Sequence, residues 1–252
     1  MNYKKIIPAA LGLYLLFLLL LVPAAWWLKL VTLPAQVQLG PVSGTLWQGQ
    51  MQALSLNGYV LQQVNWQFKP WALLTGKLAL SLDIGQIRQT NMPYAKAQLS
   101  YGFSGLELES SQLRLPVGPI IPLLKLRLPF QVAASGTMLL NIRQFSMGQP
   151  WCEQLSGKAS WLDAKFQAPS GWIDLKAIDA NLSCEQGQLQ MVTEPANPLA
   201  LNVTALIGEQ GKYQLNGTLK PDASMPKEVH QAMQFVGQPD AEGRFTLKLQ
   251  SR

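Results

Sequence analysis

Hydrophobic residues recur at every second position through most of this 252-residue chain, and that period confines it to β-sheet. Leu78, Leu80, Leu82 and Ile84 alternate with Lys77, Ala79, Ser81 and Asp83. Leu124, Leu126, Leu128, Phe130 and Val132 alternate in the same way with Lys125, Arg127 and Gln131. Leu106 and Leu108 interleave with Glu107 and Glu109, and Phe245, Leu247 and Leu249 with Thr246, Lys248 and Gln250. Weaker strand patterns cover 60–68, 95–101, 137–143, 157–166, 172–184, 188–192, 199–207 and 212–219, with Gly, Pro or Asn between nearly all of them. One-sided patterns predict antiparallel pairing, because strands of parallel sheets read as continuous apolar runs. No helical segment of 10–15 residues separates the strands, which argues against a βαβ topology. Two short helices are expected, over 69–75 between Pro70 and Gly76, and over 226–236 before Gly237.

The N-terminus departs from this period. Residues 6–28 are 23 positions without a charge, reaching roughly 34 Å as a helix against a hydrocarbon core of about 30 Å. Lys4 and Lys5 precede the stretch, and after Lys29 the next charge is Lys69. The positive-inside bias then leaves the N-terminus cytoplasmic and the bulk of the chain across the membrane. Trp26 and Trp27 stand where an interfacial belt belongs. The apolar run exceeds the core of a cleaved signal peptide, so a retained single-pass anchor is expected. The expected division is residues 1–33 as cytoplasmic stub and anchor and residues 34–252 as an exported β-domain. The prolines at 116–129 mark either the middle of one elongated sheet or a boundary between two lobes.

Charge and composition exclude several kinds of function. Lys+Arg number 20 and Asp+Glu 14, which makes 13% charged, against roughly 25% in an ordinary soluble domain. The net charge of +6 reflects few acids rather than clustered bases. No phosphate-tracking surface follows, and no nucleic-acid partner is expected. One histidine, His230, cannot supply a His-based triad or a multi-His metal site, and two cysteines cannot complete a structural zinc site. Glu107 and Glu109 lie on the polar side of a strand and read as a solvated face. Ser156-Gly157 and Ser170-Gly171 lack a nucleophile elbow, and no phosphate loop or dinucleotide fingerprint occurs. No catalytic, cofactor-binding or metal-binding residue is expected. In an oxidising space Cys152 and Cys184 would pair, closing a loop of about 33 residues; the alternative is two unpaired buried thiols.

Three stretches remain that no general pattern explains. Gly44-Thr45-Leu46-Trp47-Gln48-Gly49 reads GTLWxG. Residues 64–78 read VxWxFxPxxLLxGxL, with Val64, Trp66, Phe68, Pro70, Leu73, Leu74, Gly76 and Leu78 at the fixed positions. Near the end come Gly237-Gln238-Pro239-Asp240 and then Gly243-Arg244-Phe245. On these motifs, their order, the chain length and the single apolar segment, the sequence resembles the protein N family of the bacterial type II secretion system over essentially its whole length. The second motif is shared more widely with AsmA-like envelope proteins.

The resemblance implies an elongated, bent AsmA-like antiparallel sheet behind a single transmembrane helix. It also implies an inner-membrane, mainly periplasmic component of a secretion machine, and it transfers no catalytic residue. The expected partners are other inner-membrane and periplasmic subunits of that machine. A second possibility is phospholipid held along an apolar groove of the sheet, with residues 78–84 and 124–132 as its walls. The motifs themselves read first as packing. Trp47 and Trp66 would bury large rings whose indole N–H groups need acceptors. Leu73 and Leu74 would plug one end of the sheet, and Gly76 would turn the chain into the next strand. The alternative is that some of these aromatics form a docking surface.

Overall fold

Directly opposed residues of antiparallel strands share a face of the sheet, and the register here sorts the alternating sequence into two unlike surfaces. The computed structural model describes residues 7–8, 10–14, 17, 21–28, 34, 36–56, 59–119, 133–168, 171–208 and 211–251. After a short helix α1 (Ala24–Leu28) come β1 (Val37–Leu39), β2 (Val42–Gly44), β3 (Gln48–Leu56), β4 (Tyr59–Lys69), β5 (Leu78–Ile84), β6 (Tyr94–Gly102) and β7 (Gly105–Pro116). They are followed by β8 (Ala134–Met147), β9 (Cys152–Ala168), β10 (Gly171–Glu185), β11 (Gln188–Thr193), β12 (Asn202–Ile207), β13 (Tyr213–Leu219) and β14 (Phe245–Gln250). Helix α2 (Lys227–Ala232) lies between the last two strands, and 3-10 turns cover Pro70–Thr75 and Met233–Phe235.

All fourteen strands form one antiparallel sheet in which each strand from β3 onward pairs with the next. β1 and β2 lie end to end along the same edge of β3, interrupted at Gly40 and Pro41. Among the described strands β14 pairs only with β13, apart from an isolated bridge between Pro239 and Phe245 at its start, and this leaves it as the other edge. The sheet runs on from β7 to β8, with Pro116 opposite Thr137, so the proline-rich stretch does not divide it. The strand expected at 124–132 lies outside the described residues.

Cross-strand rows show why the composition is so low in charge. Val42, Met51, Val64, Ile84, Ala95, Leu113, Leu140, Ala159 and Ala180 oppose one another in turn, ending at Thr193. This apolar row crosses ten strands, about 43 Å at the usual strand spacing. A parallel apolar row runs Phe68, Leu80, Leu99, Leu108, Phe145 and Leu155. Offset by one residue, the other face carries Gln48, Gln67, Ser81, Gln98, Glu109, Gln144, Ser156, Ser183 and Gln190. That row is polar throughout yet holds one charge. Uncharged amides and hydroxyls therefore do the work that Lys and Glu do in most soluble sheets.

Burial is concentrated at two places. Met51, Val64 and Ile84 are buried against Leu28, Leu39, Val42, Trp66 and neighbours. Ala164, Ile173 and Leu175 are buried under Met225 and Val229, carried by the segment around α2. Between them the apolar rows are only half-covered: Leu80, Leu99, Leu108, Leu113, Leu140 and Phe145 are each intermediate in exposure. Of residues 6–28, the described positions 7–8, 10–14, 17, 21 and 24–28 are helical. Among the described residues no helix is long and apolar enough to cross a membrane.

Candidate functional site

In an up-and-down sheet, alternate connections fall on opposite rims. One rim gathers the β2–β3, β4–β5, β6–β7, β8–β9, β10–β11 and β12–β13 turns, and both of the first two motifs lie there. The GTLWxG stretch is the β2–β3 turn. The Thr45 hydroxyl accepts the Trp47 and Gln48 backbone N–H groups at 3.3 Å, while Thr45 N–H donates to Gln48 O at 2.8 Å. Gly44 has φ +90°, and a Cβ there would stand 2.5 Å from Gln48 O, so only glycine makes this turn.

The second glycine of the motif serves the next strand. Gly49 opposes Trp66 across β3 and β4, and a Cβ at Gly49 would stand 2.3 Å from Trp66 Cζ2. The indole fills the space a side chain would take. Its N–H donates to Thr45 O at 3.2 Å and Leu46 O at 3.1 Å, closing it over the turn. Trp47 packs edge-on against Phe68 at 5.9 Å between ring centres, and Phe68 N–H donates to Trp47 O at 2.7 Å. The two motifs are thus the two halves of one interlock, which accounts for their joint presence in the sequence. Val64, two residues before Trp66, is buried in the adjoining core cluster.

Beyond Phe68 the chain enters the 3-10 turn through Pro70 and leaves it at Gly76, whose φ of 72° turns the chain into β5 as the sequence predicts. The leucines behave differently. Leu74 and Trp71 are each 80% exposed and Leu73 48%, so Leu73 and Leu74 do not plug the sheet. The turn is the β4–β5 connection, and these side chains stand exposed on the rim. Phe103, at the tip of the β6–β7 turn, is fully exposed, and a Cβ at Gly76 would meet its ring at 3.2 Å.

Behind these tips, Lys77 donates to Glu107 at 2.6 Å, and Ser100 and Ser104 donate to the same carboxylate at 3.1 Å. Lys77 first, then the two hydroxyls, hold the Glu107 carboxyl below its ordinary range. Glu107 is therefore a tethered group rather than part of a freely solvated face. Glu109 sits in the polar row between Gln98 and Gln144.

Farther along, the same rim is braced. Cys152 and Cys184 form the expected disulfide, with Cys152 buried. Trp151 and Cys152 backbone N–H groups donate to Gly187 O at 3.0 and 3.2 Å, and the Trp151 indole donates to Gly208 O across 57 residues of sequence. Three successive turns are thereby tied together.

The third motif lies at the opposite rim. The Asp240 carboxylate accepts the backbone N–H groups of Arg244 at 2.7 Å and Glu242 at 3.0 Å and the Arg244 side chain at 2.9 Å. Those donors, the Arg244 backbone first, keep the Asp240 carboxyl below its usual range. Gly243, at φ +75°, completes this loop into β14. It is a shaped turn, remote from the interlock. His230 is exposed on α2. Among the described residues no group of three His, Cys, Asp or Glu could hold a metal ion.

Comparison with known proteins is decisive at this point. The family model described as type II secretion system (T2SS), protein N, matches residues 35–248, from just before β1 to within β14. The chain belongs to the type II secretion system protein N family. The match spans the whole sheet. Type II secretion system protein N of Aeromonas hydrophila is 33% identical over 255 residues, covering 99% of each chain. The Vibrio cholerae protein of that name is 27% identical over 88% of this chain and 92% of its own. The Klebsiella pneumoniae protein is 29% identical over 95% and 92%. No solved structure matches the chain.

What the sequence leaves unseen is the row of exposed aromatics along this rim, Trp71, Phe103, Trp151 and Tyr213. A signal for it exists: Gly102-Phe103-Ser104-Gly105 places a large apolar residue inside a tight turn, where polar residues are the rule.

Proposed function

We propose that this protein is a non-enzymatic inner-membrane component of the type II secretion system. Residues 6–28 cross the membrane once, the N-terminus is cytoplasmic, and residues 34–252 stand in the periplasm. There the sheet supports export across the outer membrane through contacts with other inner-membrane and periplasmic subunits. The family match over the full sheet carries this reading. Exposed apolar side chains on the described part of the anchor, Leu11, Leu13, Tyr14 and Phe17, suit a lipid surround. The disulfide suits an oxidising compartment. Among the described strands the two edges, β1–β2 and β14 beyond its Pro239–Phe245 bridge, offer backbone for strand addition. In-cell photocrosslinking from β14, for instance at exposed Lys248, is expected to trap secretion-system subunits. The absence of any such adduct, with undiminished secretion in a deletion strain, would refute the assignment.

A second reading rests on the half-covered apolar rows from β4 to β9. A face of this kind fits acyl chains, as expected of an AsmA-like lipid module. Native mass spectrometry of the detergent-purified protein would then show bound phospholipid, and a lipid-free spectrum would remove this reading while leaving the first intact.

A further inference from the structure

Among the described residues the exposed aromatic side chains of the sheet are unevenly divided between its rims, with Trp172 near the start of β10 on the opposite one. On the rim of the interlock, Trp71, Phe103 and Trp151 come from three of the five turns between β4 and β13, Tyr213 opens β13 beside a fourth, and each is at least 40% exposed. These turns span about 38 Å at the usual strand spacing. They come from separate connections along the rim, Trp71 together with Leu73 and Leu74, so they make a line of projections rather than a groove. The disulfide and the Trp151–Gly208 hydrogen bond hold one end of the line in place.

The apolar N-terminal stretch arrives at the same rim. Pro23 pairs with Thr45, the turn residue of the interlock, and α1 follows directly with Leu28 in the adjoining core. Trp26, in α1, is two-thirds exposed. The end of the apolar stretch and the aromatic tips are therefore fixed to one side of one sheet.

We propose that this rim rests in the headgroup layer of the bilayer, with Trp71, Leu74 and Phe103 entering the acyl boundary. The inference relies on the anchoring of residues 6–28 proposed above. A line of separate apolar tips fits a fluid plane, which moulds to each side chain, better than a protein surface, which needs contiguous complementary area. Tryptophan and tyrosine are the residues favoured at that depth. The tips nearest the anchor carry Lys69 beside them, and the nearby Lys77–Glu107 ion pair adds no net charge. Glu153 and Glu185 lie toward the disulfide end, so insertion is deepest at the β4–β7 turns.

The test uses the full chain in vesicles of phosphatidylethanolamine and phosphatidylglycerol. Leu74→Cys, Phe103→Cys, Phe17→Cys and Ala241→Cys are each labelled with an environment-sensitive NBD dye. The native cysteines are bonded to each other, so only the introduced thiol reacts. Leu74 and Phe103 are exposed, so neither substitution disturbs packing. Labels at 74 and 103 are expected to shift to the blue and lose fluorescence to doxyl-labelled lipid, while the label at 241 on the opposite rim stays aqueous and unquenched. Quenching at 17 without quenching at 74 and 103 overturns the rim proposal and leaves the anchor standing. A blue shift at 74 and 103 without lipid quenching overturns it in favour of a protein contact. Loss of quenching at 17 as well overturns the anchor and the rim together.

Discussion

The two halves of the sheet are secured by different means. Around β2–β5 the clamp is one of shape: a tryptophan lies in the space left by Gly49 and is fastened by two hydrogen bonds to the turn beneath it. Around β9–β11 the clamp is covalent, and the segment bearing α2 lies over the strands. Among the described strands each one beyond β3 pairs only with its sequence neighbours, so the sheet resembles a repeat array in which stability passes from unit to unit. Such an array frays from any unsupported end. The difference between the halves teaches that a long open meander needs a separate clamp at each end, and that a secretion component can meet this need with either chemistry.

Breaking the covalent clamp has the largest expected effect. The chain-entropy relation gives about 3.7 kcal/mol for a loop of about 33 residues. Replacing both Cys152 and Cys184 by Ala should lower hydrogen-exchange protection in β9, β10 and β11 while β3–β5 keep theirs. An equal loss in both halves would show one cooperative unit and abolish the comparison.

The complementary experiment removes the shape clamp. Trp66→Ala is expected to cost about 3 kcal/mol, in the usual range for truncating a large packed aromatic. Gly49→Ala is expected to cost about 1–3 kcal/mol by overpacking. The losses should fall on β2–β5 in hydrogen exchange. Combined, the two changes should be less damaging than their sum, because the new methyl enters space the indole has vacated. Strict additivity in denaturant titrations would mean that Gly49 and Trp66 do not interlock.

The interlock also explains what could be read from the chain and what could not. Strands such as β5 and β14 announce themselves because each side chain keeps its own face. β2 and β3 do not, because at Gly44 and Gly49 the side chains that would carry the period are missing; the ring that fills the gap at Gly49 belongs to Trp66, 17 positions later. The two motifs were legible as packing elements, and their mutual contact needed the register. Leu73 and Leu74 read as a plug because apolar pairs are usually buried, and nothing local reveals that they stand exposed on the rim. The disulfide followed from compartment and count, whereas the tether on Glu107 depends on β5, β6 and β7 lying side by side, which brings Lys77 across 30 residues.

The smallest expected effects distinguish the halves by pH. Lys77, Ser100 and Ser104 lower the Glu107 pKa on the interlock side, so the stabilisation from this group is present above the unfolded carboxylate range. It is lost as pH falls through the depressed folded value. On the other side, Glu194 pairs with Lys158 at 2.9 Å and raises the Lys158 pKa. That contribution is present below the unfolded lysine value and disappears as pH rises through the raised folded one. Acid should therefore loosen β5–β7, and separately the Asp240 loop before β14, while alkali loosens β9–β11. Both pairs are partly exposed, so both effects are slight and shrink with added salt. Glu107→Gln and Lys158→Met, followed by hydrogen exchange with pH-corrected intrinsic rates, provide the check. Each should erase the pH response of its own half and leave the other unchanged. If Glu107→Gln also flattened the alkaline response of β9–β11, the two clamps would be coupled through the sheet, and the halves would no longer count as separately secured.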